Sequence, residues 1–503
     1  MGRLVQILLA GLLLAAPGVV RAQGGEERPL FLVHYMPWFQ ARSYTGYWGW
    51  HWTMGHFNPD LPDAQGRRPI ASHVYPLAGP YDSRDPDLVE YHALLMKVGG
   101  IDGAIVDWYG ASTLYDYPLI NGGADAVFGA LADVGLRFAI CYEDRTVPQL
   151  IAAGRITASG AVAHARQEMA YVRDRWASTP TYLTLDGRPV VLNFGAQYFR
   201  TSAEWASILS VFETSPLFFT EDVRLAPAAA GAYPWPPMWA SQNGVLTVAR
   251  MRQYLDEFYG RAAAWPDAVA GAWPGFHDIY AEAGVGPSYG YLDARGGATF
   301  EETLGRAVGS GARVVQIATW NDFGEGTAIE PTVEDGYRYL EHVQETVRGY
   351  GPLPYSADDL GLPLTLYGLR KAHAGDPEVS AQLDEAAVLL ADGQPAQARA
   401  RLAAISSTGA APGATPALRA GLSVYPNPTA GPATVRVDLP DAAHVRLDVY
   451  DATGRRVARL AHGAREAGRH TFRWDAAGGP SGAYFVRLDV GEESTTAPLT
   501  VQR

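Results

Sequence analysis

Continuous apolar runs alternate with amphipathic segments from residue 29 to about residue 350 of the chain. The apolar runs have the length of buried strands. There are eight of them: Pro29–Tyr35, Gly103–Trp108, Arg137–Tyr142, Pro189–Phe194, Leu217–Thr220, Ala230–Tyr233, Ala268–Trp273 and Arg313–Thr319. Helical periodicity occupies the segments between them, for example Asp85–Val98 and Val248–Gly260. Eight strand–helix steps predict an α/β fold, a (β/α)8 TIM barrel with enlarged loops over residues 23–350. A doubly wound sheet is the alternative.

The pattern changes twice after residue 350. Residues 351–405 predict a small helical appendage of structural role, because Glu378–Ala391 and Pro395–Ala404 carry apolar positions at helical spacing. Residues 406–420 are rich in Ser, Thr, Gly, Ala and Pro, which is typical of a linker. From residue 421 to 503, short segments such as Thr434–Leu439 and His444–Tyr450 alternate at period two and are joined by turn dipeptides. This arrangement predicts an all-β sandwich.

The first 22 residues predict a secretory signal peptide. Arg3 supplies a positive charge, Leu4–Ala16 is an apolar run too short to span a membrane, and Val20–Ala22 offers a small-x-small cleavage site. No later segment approaches a membrane span, so we expect an exported protein. The single cysteine, Cys141, excludes an internal disulfide and a thiolate-built metal site.

Composition narrows the choice of partner. The chain is 48% hydrophobic and 18% charged, which is normal for a globular protein, and its net charge of −13 argues against nucleic acid or anionic membrane. It has 13 tryptophans and 27 tyrosines, clustered in Gly- and Pro-broken runs such as Tyr35–Phe39, Tyr47–Trp52 and Tyr233–Trp239. Such runs suit the lining of a carbohydrate groove, with ordinary loop packing as the alternative.

Acidic residues follow three of the predicted strands. Asp107 ends the second, Glu143 and Asp144 follow the third, and Asp322 and Glu325 follow the eighth. Because a barrel enzyme keeps its chemistry at the carboxyl ends of its strands, we expect these side chains to converge on one mouth. Paired carboxylates with aromatic rings beside them fit glycoside hydrolysis, in which one acid protonates the leaving oxygen and the other serves as base or nucleophile.

Simpler interpretations stand beside this one. The loop after the eighth strand could be a polar turn with Glu325 and Glu330 solvated, Asp107 could cap a strand, and His34 could be a hydrogen-bonded core histidine. Arg145 is expected to keep Glu143 or Asp144 ionised. No spacing of histidines and carboxylates requires a metal, and no cofactor is expected.

Four motifs resemble the glycoside hydrolase family 71/99-like group, over roughly residues 29–350. They are His34–Trp38, Gly103–Trp108, Tyr142-Glu143 and the stretch Trp320–Glu330 (Trp-Asn-Asp-Phe-Gly-Glu-Gly-Thr-Ala-Ile-Glu). The resemblance implies a (β/α)8 barrel acting on α-linked glycans. It implies catalytic roles for Asp322, which would draw the proton from a sugar 2-hydroxyl, and for Glu325 as acid/base. The residues expected to bind substrate are Glu143, Asp107, His34, Tyr35, Trp38, Trp108, Trp320 and Asn321.

The chain departs from the family 99 pattern at one catalytic position. Asp322 stands where that family usually has glutamate, and Phe323-Gly324 replaces a bulkier Trp-His pair. Aspartate at this place is more similar to family 71, which includes α-1,3-glucanases. The resemblance therefore leaves both α-mannan and α-glucan open as substrates.

The last segment resembles the C-terminal sorting domain of the type IX secretion system. Three motifs occur in the expected order: Ser423–Thr429, Val449–Arg455 and Ser481–Val486. The resemblance implies export across the outer membrane of a Bacteroidetes-like bacterium, with the type IX machinery as partner and a secreted or cell-surface location. A carbohydrate-binding sandwich is the competing interpretation, although Trp474 is the one tryptophan in this segment.

Together these patterns predict a secreted, endo-acting glycoside hydrolase that cleaves a polysaccharide of the α-mannan or α-glucan class. Two other functions remain open. One is a catalytically silent glycan-binding protein displayed by the sorting domain. The other is a protein of surface-polysaccharide synthesis, because similar barrels with related motifs occur in proteins of the so-called WbsX type.

Overall fold

A computed structural model describes residues 28–64, 66–408, 421–425, 429, 431–439, 442–475, 480–491 and 493–502. The predicted signal peptide lies outside these residues, as do positions 409–420 of the predicted linker and parts of the first sorting motif. Among the described residues, no helix combines the length and the apolar character needed to cross a membrane.

Eight parallel strands form the barrel wall. They are β1 Leu30–Tyr35, β2 Gly103–Trp108, β3 Arg137–Tyr142, β4 Arg188–Asn193, β5 Leu217–Glu221, β6 Gly231–Tyr233, β7 Val269–Ala272 and β8 Val314–Ile317. Their order is β6-β5-β4-β3-β2-β1-β8-β7, so the first strand pairs with the last, for example Leu30 with Val314. This order confirms the predicted (β/α)8 barrel and excludes the doubly wound sheet. All eight predicted strands are present.

The ring closes almost completely between β6 and β7. At Gly231 in β6 an added Cβ would lie 1.9 Å from the carbonyl oxygen of Asp267, just before β7. Only glycine permits backbones to approach this closely. The barrel strands read as apolar runs because both of their faces are covered; all six residues of β2, for instance, are buried.

Helices surround the strands and fill the connections. In the barrel region they are α1 Trp50–Thr53, α2 Pro86–Val98, α3 Tyr117–Asp133, α4 Thr146–Ala152, α5 Ala161–Val172, α6 Ser202–Leu209, α7 Val248–Ala262, α8 Ala298–Gly309 and α9 Arg338–Arg348. The start of α2 follows from its sequence: Asp85 accepts a hydrogen bond from the Asp87 N–H, and Pro86 occupies the first turn.

Three further helices form the predicted appendage: α10 Leu362–Ala372, α11 Pro377–Ala391 and α12 Pro395–Thr408. Leu366, Leu383 and Leu390 belong to the same apolar core as the barrel. The guanidinium of Arg370 in α10 also donates to Glu90 in α2 at 2.7 Å. The appendage is therefore packed on the barrel, and α12 extends three residues into the segment predicted to be linker.

The C-terminal segment is an antiparallel sandwich with its own core, as predicted. Its strands within the described residues are β9 Gly421–Tyr425, β10 Pro432–Leu439, β11 Ala443–Asp451, β12 Arg456–Arg465, β13 Gly468–Asp475, β14 Gly482–Val490 and β15 Glu493–Val501. They form two sheets, β9-β10-β13 and β12-β11-β14-β15. Trp474 is buried against Tyr484. Its ring is therefore not available to stack on a sugar, which disfavours a carbohydrate-binding sandwich.

Candidate active site

Five carboxylic acids stand at the carboxyl ends of the barrel strands. Asp107 is the penultimate residue of β2, Glu143 follows β3 directly, Glu221 ends β5, and Asp322 and Glu325 lie in the loop after β8. Parallel strands of a barrel all end at the same face, which places the five acids around one mouth. Glu221 was not singled out from the sequence, although its position at a strand end follows the same rule.

The acids are close enough to influence one another's ionisation. Burial raises the pKa of Asp107, and the charges of Glu143 and Asp322 raise it further. Burial also raises the pKa of Glu325, to which the charges of Asp322 and Glu221 add. Asp107 on the β2 side and Glu221 on the β5 side both repel acids of the β8 loop. Since such repulsion acts over short distances, these side chains lie close together.

The loop after β8 is built to aim Asp322 inward. The Asp322 N–H donates to Thr319 Oγ1 at 2.8 Å, and Asp322 Oδ1 accepts from the Glu325 N–H at 2.9 Å. Gly326 allows the loop to turn with φ of +67°, and a Cβ there would lie 2.7 Å from the carbonyl oxygen of His277. The His277 N–H donates to the Glu325 carbonyl at 2.8 Å. The loop is thus held by the β7 connection on one side and by its own side chains on the other.

Asp322 and Glu325 are held in different protonation states. Burial raises the pKa of Asp322 to about 6, while the backbone N–H groups of Glu325 and Gly324 limit the rise. The pKa of Glu325 lies well above 4.5 because of burial and because of the Asp322 charge, with the Tyr280 hydroxyl donating to Glu325 Oε1 at 3.3 Å. Asp322 therefore loses its proton first and Glu325 keeps its own, which are the states of a base and an acid.

Asp107 and Glu143 lie opposite this loop without hydrogen-bond partners. Both carboxyl oxygens of Asp107 and Oε2 of Glu143 are buried and unpaired within the described residues. Burial raises the pKa of Glu143 to about 8, although Arg145, whose Nε lies 3.9 Å from Oε2, acts in the opposite direction. Arg145 was expected to favour an ionised acid here, but at Glu143 its effect is smaller than that of burial.

A polar pair lies inside the barrel, below the acids. His34 in β1 and Gln316 in β8 are fully buried. Within the described chain, neither the ring nitrogens of His34 nor the side-chain amide of Gln316 have a well-aligned hydrogen-bond partner. Burial lowers the pKa of His34 to about 3, a shift that Gln316 opposes. His34 is therefore a neutral imidazole, and nothing in the sequence around Gln316 had marked it as a site residue.

Aromatic rings border the mouth. Trp38 stacks on His51 with ring centroids 4.2 Å apart, and its centroid lies 6.2 Å from that of Tyr109. Burial raises the pKa of Tyr109, and the charges of Glu143 and Asp107 raise it further, so Tyr109 adjoins the acids. Of the predicted substrate-binding aromatics, Trp38 is thus the one that lies at the mouth.

The structure places four predicted substrate-binding residues behind the strands, away from the mouth. Tyr35 pairs its hydroxyl with His92 Nδ1 at 2.9 Å, and Trp108 donates to Asn121 at 2.8 Å. Asn321 Oδ1 accepts from the Met36 N–H, and Trp320 packs 5.5 Å from His92. Successive strand residues face opposite sides, so each inward residue, such as Asp107, has an outward neighbour in the motif.

Glu330 also belongs to this outer layer. It is 1% exposed, accepts from the Tyr81 hydroxyl at 2.7 Å, and its Oε1 lies 3.3 Å from His92 Nε2. The interpretation of Glu330 as a solvated turn residue is therefore wrong. Glu325, the other residue of that interpretation, is half-buried.

Two cavities elsewhere have no comparable chemistry. One, of about 570 Å³, lies by the amino ends of β1 and β3, where Arg28 pairs with Asp102 at 2.9 Å and Lys97 donates to the Val134 carbonyl. The other, also of about 570 Å³, lies between α2, α3 and α11. Among the described residues, no group of three or more His, Cys, Asp or Glu side chains is arranged to hold a metal ion.

Comparison with known proteins gives matches to two parts of the chain. The FlgD Ig-like domain family matches residues 425–493. The uncharacterized protein WxcX of Xanthomonas campestris is 23% identical over 330 residues, which cover 58% of this chain and 44% of WxcX. The chain thus spans less than half the length of this curated relative.

Two solved structures are similar to the barrel region. A GH99 endo-α-mannosidase from Bacteroides thetaiotaomicron is 20% identical, covers 64% of this chain and 99% of its own, and gives a TM-score of 0.49. A glycoside hydrolase-like protein is 14% identical, covers 66% of this chain and 97% of its own, and gives a TM-score of 0.46.

Proposed function

We propose that the chain is a glycoside hydrolase that cleaves an α-linked polysaccharide of the α-mannan or α-glucan class, with endo action. The observation that carries this proposal is the pair in the β8 loop, where an acid that ionises near pH 6, Asp322, adjoins one that retains its proton, Glu325. Hydrolysis of a glycosidic bond needs one carboxyl group in each of these two states.

In the proposed reaction, Glu325 donates its proton to the glycosidic oxygen as the bond to the anomeric carbon breaks. Asp322 accepts the proton of the attacking hydroxyl, which belongs either to water or, by resemblance to family 99, to the sugar 2-hydroxyl. In the second case a 1,2-anhydro sugar forms. Water then opens it at the anomeric carbon and gives a proton to Glu325, while Asp322 returns its proton to the sugar 2-oxygen. The aspartate is one methylene shorter than glutamate, so the sugar must sit closer to the β8 loop.

The rest of the mouth supports binding of a polyhydroxylated ring. Asp107, Glu143, His34 and Gln316 present buried polar atoms without partners in the described chain. Such atoms are costly unless a ligand or water pairs with them, and sugar hydroxyls can both donate and accept. Trp38 adds an apolar face at the rim.

The Glu325→Gln variant tests the catalytic role. Glutamine keeps the size of the side chain but has no proton to give, so we expect reducing-end release from α-mannan or α-1,3-glucan to fall about 10²–10⁴-fold. The melting temperature should not fall. The matched control is Glu301→Gln, the same change at an exposed position of α8. Full activity of Glu325→Gln on every glycan that the unaltered chain cleaves would refute the assignment.

A catalytically silent glycan-binding protein is the second candidate, favoured by the shorter Asp322 at a position where family 99 usually has glutamate. The unpaired atoms of Asp107 and His34 would serve binding equally well. Binding to a glycan array without any product, by both the unaltered chain and Glu325→Gln, would support this candidate. A WbsX-like role in polysaccharide synthesis is a third, against which the predicted signal peptide counts.

We also propose that residues 421–503 direct export through the type IX machinery to the cell surface. The motif residue Asp451 accepts from the Thr453 N–H at 3.0 Å and forms the turn between β11 and β12, and Tyr484 of the third motif is buried. The second and third motifs therefore lie in a folded unit that a receptor could recognise. Deletion of residues 421–503 should retain the protein in the periplasm, as measured by fractionation; unchanged surface display would exclude this role.

A further inference from the structure

Several large aromatic side chains are exposed in the connections at the carboxyl ends of the strands, and four of them have ring contacts that lead toward the acids. Trp50 follows β1, Tyr115 follows β2, Trp239 follows β6 and Tyr289 follows β7. They are 49%, 74%, 68% and 54% exposed, respectively. Burial normally stabilises such rings, so flat apolar faces left in water at an acid-lined mouth indicate a surface that a ligand covers.

Ring contacts connect two of these aromatics to the acids on the β1–β2 side. Tyr115 packs on Tyr117 with ring centroids 5.9 Å apart, and Tyr117 packs on Tyr109 at 5.4 Å. Tyr109 adjoins Glu143. Trp50 contacts His51 at 5.1 Å, on which Trp38 stacks. Ring contacts, in part through the buried Tyr117, therefore lead from the mouth to a first exposed aromatic surface at Tyr115 and Trp50.

The other two aromatics reach the acids from the β5–β7 side. Tyr289 packs on Tyr280 with centroids 5.4 Å apart, and Tyr280 donates to Glu325. Trp239 lies 6.1 Å from Tyr254, whose hydroxyl donates to Asp222, the residue after Glu221. This second surface leads away from the same acids.

The strand order places the two surfaces on opposite sides of the barrel. Tyr115 follows β2 and Trp239 follows β6, which are four strands apart in a ring of eight. From the spacing of neighbouring strands, the diameter of such a ring is roughly 15 Å. A ligand that contacts both aromatics must therefore cross the whole mouth, with the acids near its middle.

The charge of the mouth selects among extended glycans. Asp107, Glu143, Glu221, Asp322 and Glu325 meet there, and among the described residues Arg145 is the cation whose charge acts on Glu143 and Asp107. The raised pKa values of Asp107, Glu143 and Glu325 mean that negative charge is unfavourable at this mouth, so a polysaccharide of uronic acids or sulfated sugars should bind less well than a neutral one.

We propose that the mouth is the centre of an open groove for a long, uncharged glycan, with Tyr115 and Trp239 as platforms at its two ends. Each ring stacks on a sugar remote from the bond that is cleaved. This inference rests on the proposed function, because it takes the glycan to lie over Asp322 and Glu325. It adds two residues that determine specificity and the span of the glycan between them.

Binding to the Glu325→Gln variant tests the groove without turnover. The probes are α-mannan and α-1,3-glucan oligosaccharides of two to eight sugars, titrated by calorimetry. For the glycan that binds, affinity should rise with length. When Tyr115→Ala or Trp239→Ala is combined with Glu325→Gln, the affinity for the octasaccharide should fall about tenfold, and the affinity for the disaccharide should not change. Tyr115→Phe and Trp239→Phe should restore most of the affinity, because they restore a flat ring.

The control is Phe485→Ala, which removes an exposed ring from β14 of the sandwich. It should change no affinity. Four results would each overturn the groove. Affinity could fail to depend on glycan length, or Tyr115→Ala and Trp239→Ala could bind the octasaccharide as tightly as Glu325→Gln alone. Neither glycan class could bind, or a polyuronate could bind as tightly as the neutral glycan.

The outcomes also separate this inference from the proposed function. If the unaltered chain binds long glycans through Tyr115 and Trp239 but releases no product, the proposed groove is supported and the proposed hydrolysis is refuted. If it cleaves polysaccharide while both alanine variants bind and cleave normally, the proposed hydrolysis is supported and the proposed groove is refuted.

Discussion

Glu143 and Asp144 are adjacent acids after the same strand, yet they have opposite surroundings. Glu143 faces the mouth, where its Oε2 is buried without a partner. Asp144 faces the loop after β4 and accepts hydrogen bonds from the backbone N–H groups of Gln197, Tyr198 and Phe199, at 3.1, 2.9 and 2.9 Å. The first carboxyl group is available for a ligand, whereas the second holds the fold together.

The stretch after β8 repeats this division. Asp322 and Glu325 face the mouth with raised pKa values, while Asn321 and Glu330 are paired with Met36, Tyr81 and His92 behind the strand. A motif of this kind therefore mixes functional and structural residues. What separates them is whether the side chain faces the mouth or packs behind the strand.

The largest effect that this contrast predicts is on catalysis. Asp322→Asn should lower kcat about 10³-fold, or about 4 kcal/mol in the activation barrier, because an amide cannot accept the proton. The Asn side chain still offers an oxygen to the Glu325 N–H, so stability should change little. Reducing-end assays and thermal melts measure both quantities. Asp358→Asn, at an exposed position of the appendage, is the control. A variant that loses stability and activity together would place Asp322 among the structural acids.

A structural acid should show the opposite behaviour. Asp144→Ala leaves three buried N–H groups without an acceptor, so the free energy of unfolding should fall by about 3 kcal/mol. Asp144→Asn, which keeps one acceptor oxygen, should lose less. Chemical denaturation measures the difference. If Asp144→Ala were as stable as the unaltered chain, the distinction between the two neighbours would collapse.

Replacement of Glu143, the neighbour of Asp144 that faces the mouth, should stabilise the fold. The pKa of Glu143 is about 8 in the folded protein against 4.5 for an unperturbed side chain. Between these values the unfolded chain releases a proton that the folded chain keeps, so the carboxyl group lowers stability as pH rises. Glu143→Gln should show no stability advantage below pH 4.5, a growing one up to pH 8, and a constant one above.

Denaturant titrations of both proteins at pH 4, 6 and 8 test this sign. A stability difference that shrinks from pH 4 to pH 8 would show that Glu143 is ionised and paired in the folded state. Glu301→Gln, an exposed change of the same kind, should show no such trend.

The smallest predicted effect is on the pH profile. Activity requires ionised Asp322, so kcat/KM should rise tenfold per pH unit on the acid side and level off near pH 6. Loss of the Glu325 proton should lower it again at higher pH, because the pKa of Glu325 is raised above that of an ordinary glutamate. Initial rates from pH 4 to pH 9 measure both limbs. A flat profile between pH 4 and pH 7 would remove Asp322 from the base role.

Much of the barrel could be predicted because its signals are local. Buried parallel strands need apolar residues on both faces, so β2 and β8 read as continuous runs, and even the short β5 and β6 were found. The acids Asp107, Glu143, Asp322 and Glu325 could be found because they directly follow such runs. Glu221 obeys the same rule but ends one of the shortest predicted strands.

The residues that the sequence did not reveal depend on contacts between distant segments. Gln316 and Tyr280 come within reach of His34 and Glu325 through the closed ring and the β7 loop, from elements far apart in the chain. Tyr35, Trp108, Trp320 and Asn321 lie in the right motifs but on the outer side of the strands.

The sequence by itself determined the number of strands, the end of the barrel at which the acids gather, and the separate sandwich. Each follows from periodicity along a few neighbouring residues. Only the tertiary structure decided which acids are satisfied and which are left open. Burial and the partner atoms that pair with a carboxyl group come from other strands and loops, and they exist only once the ring has closed.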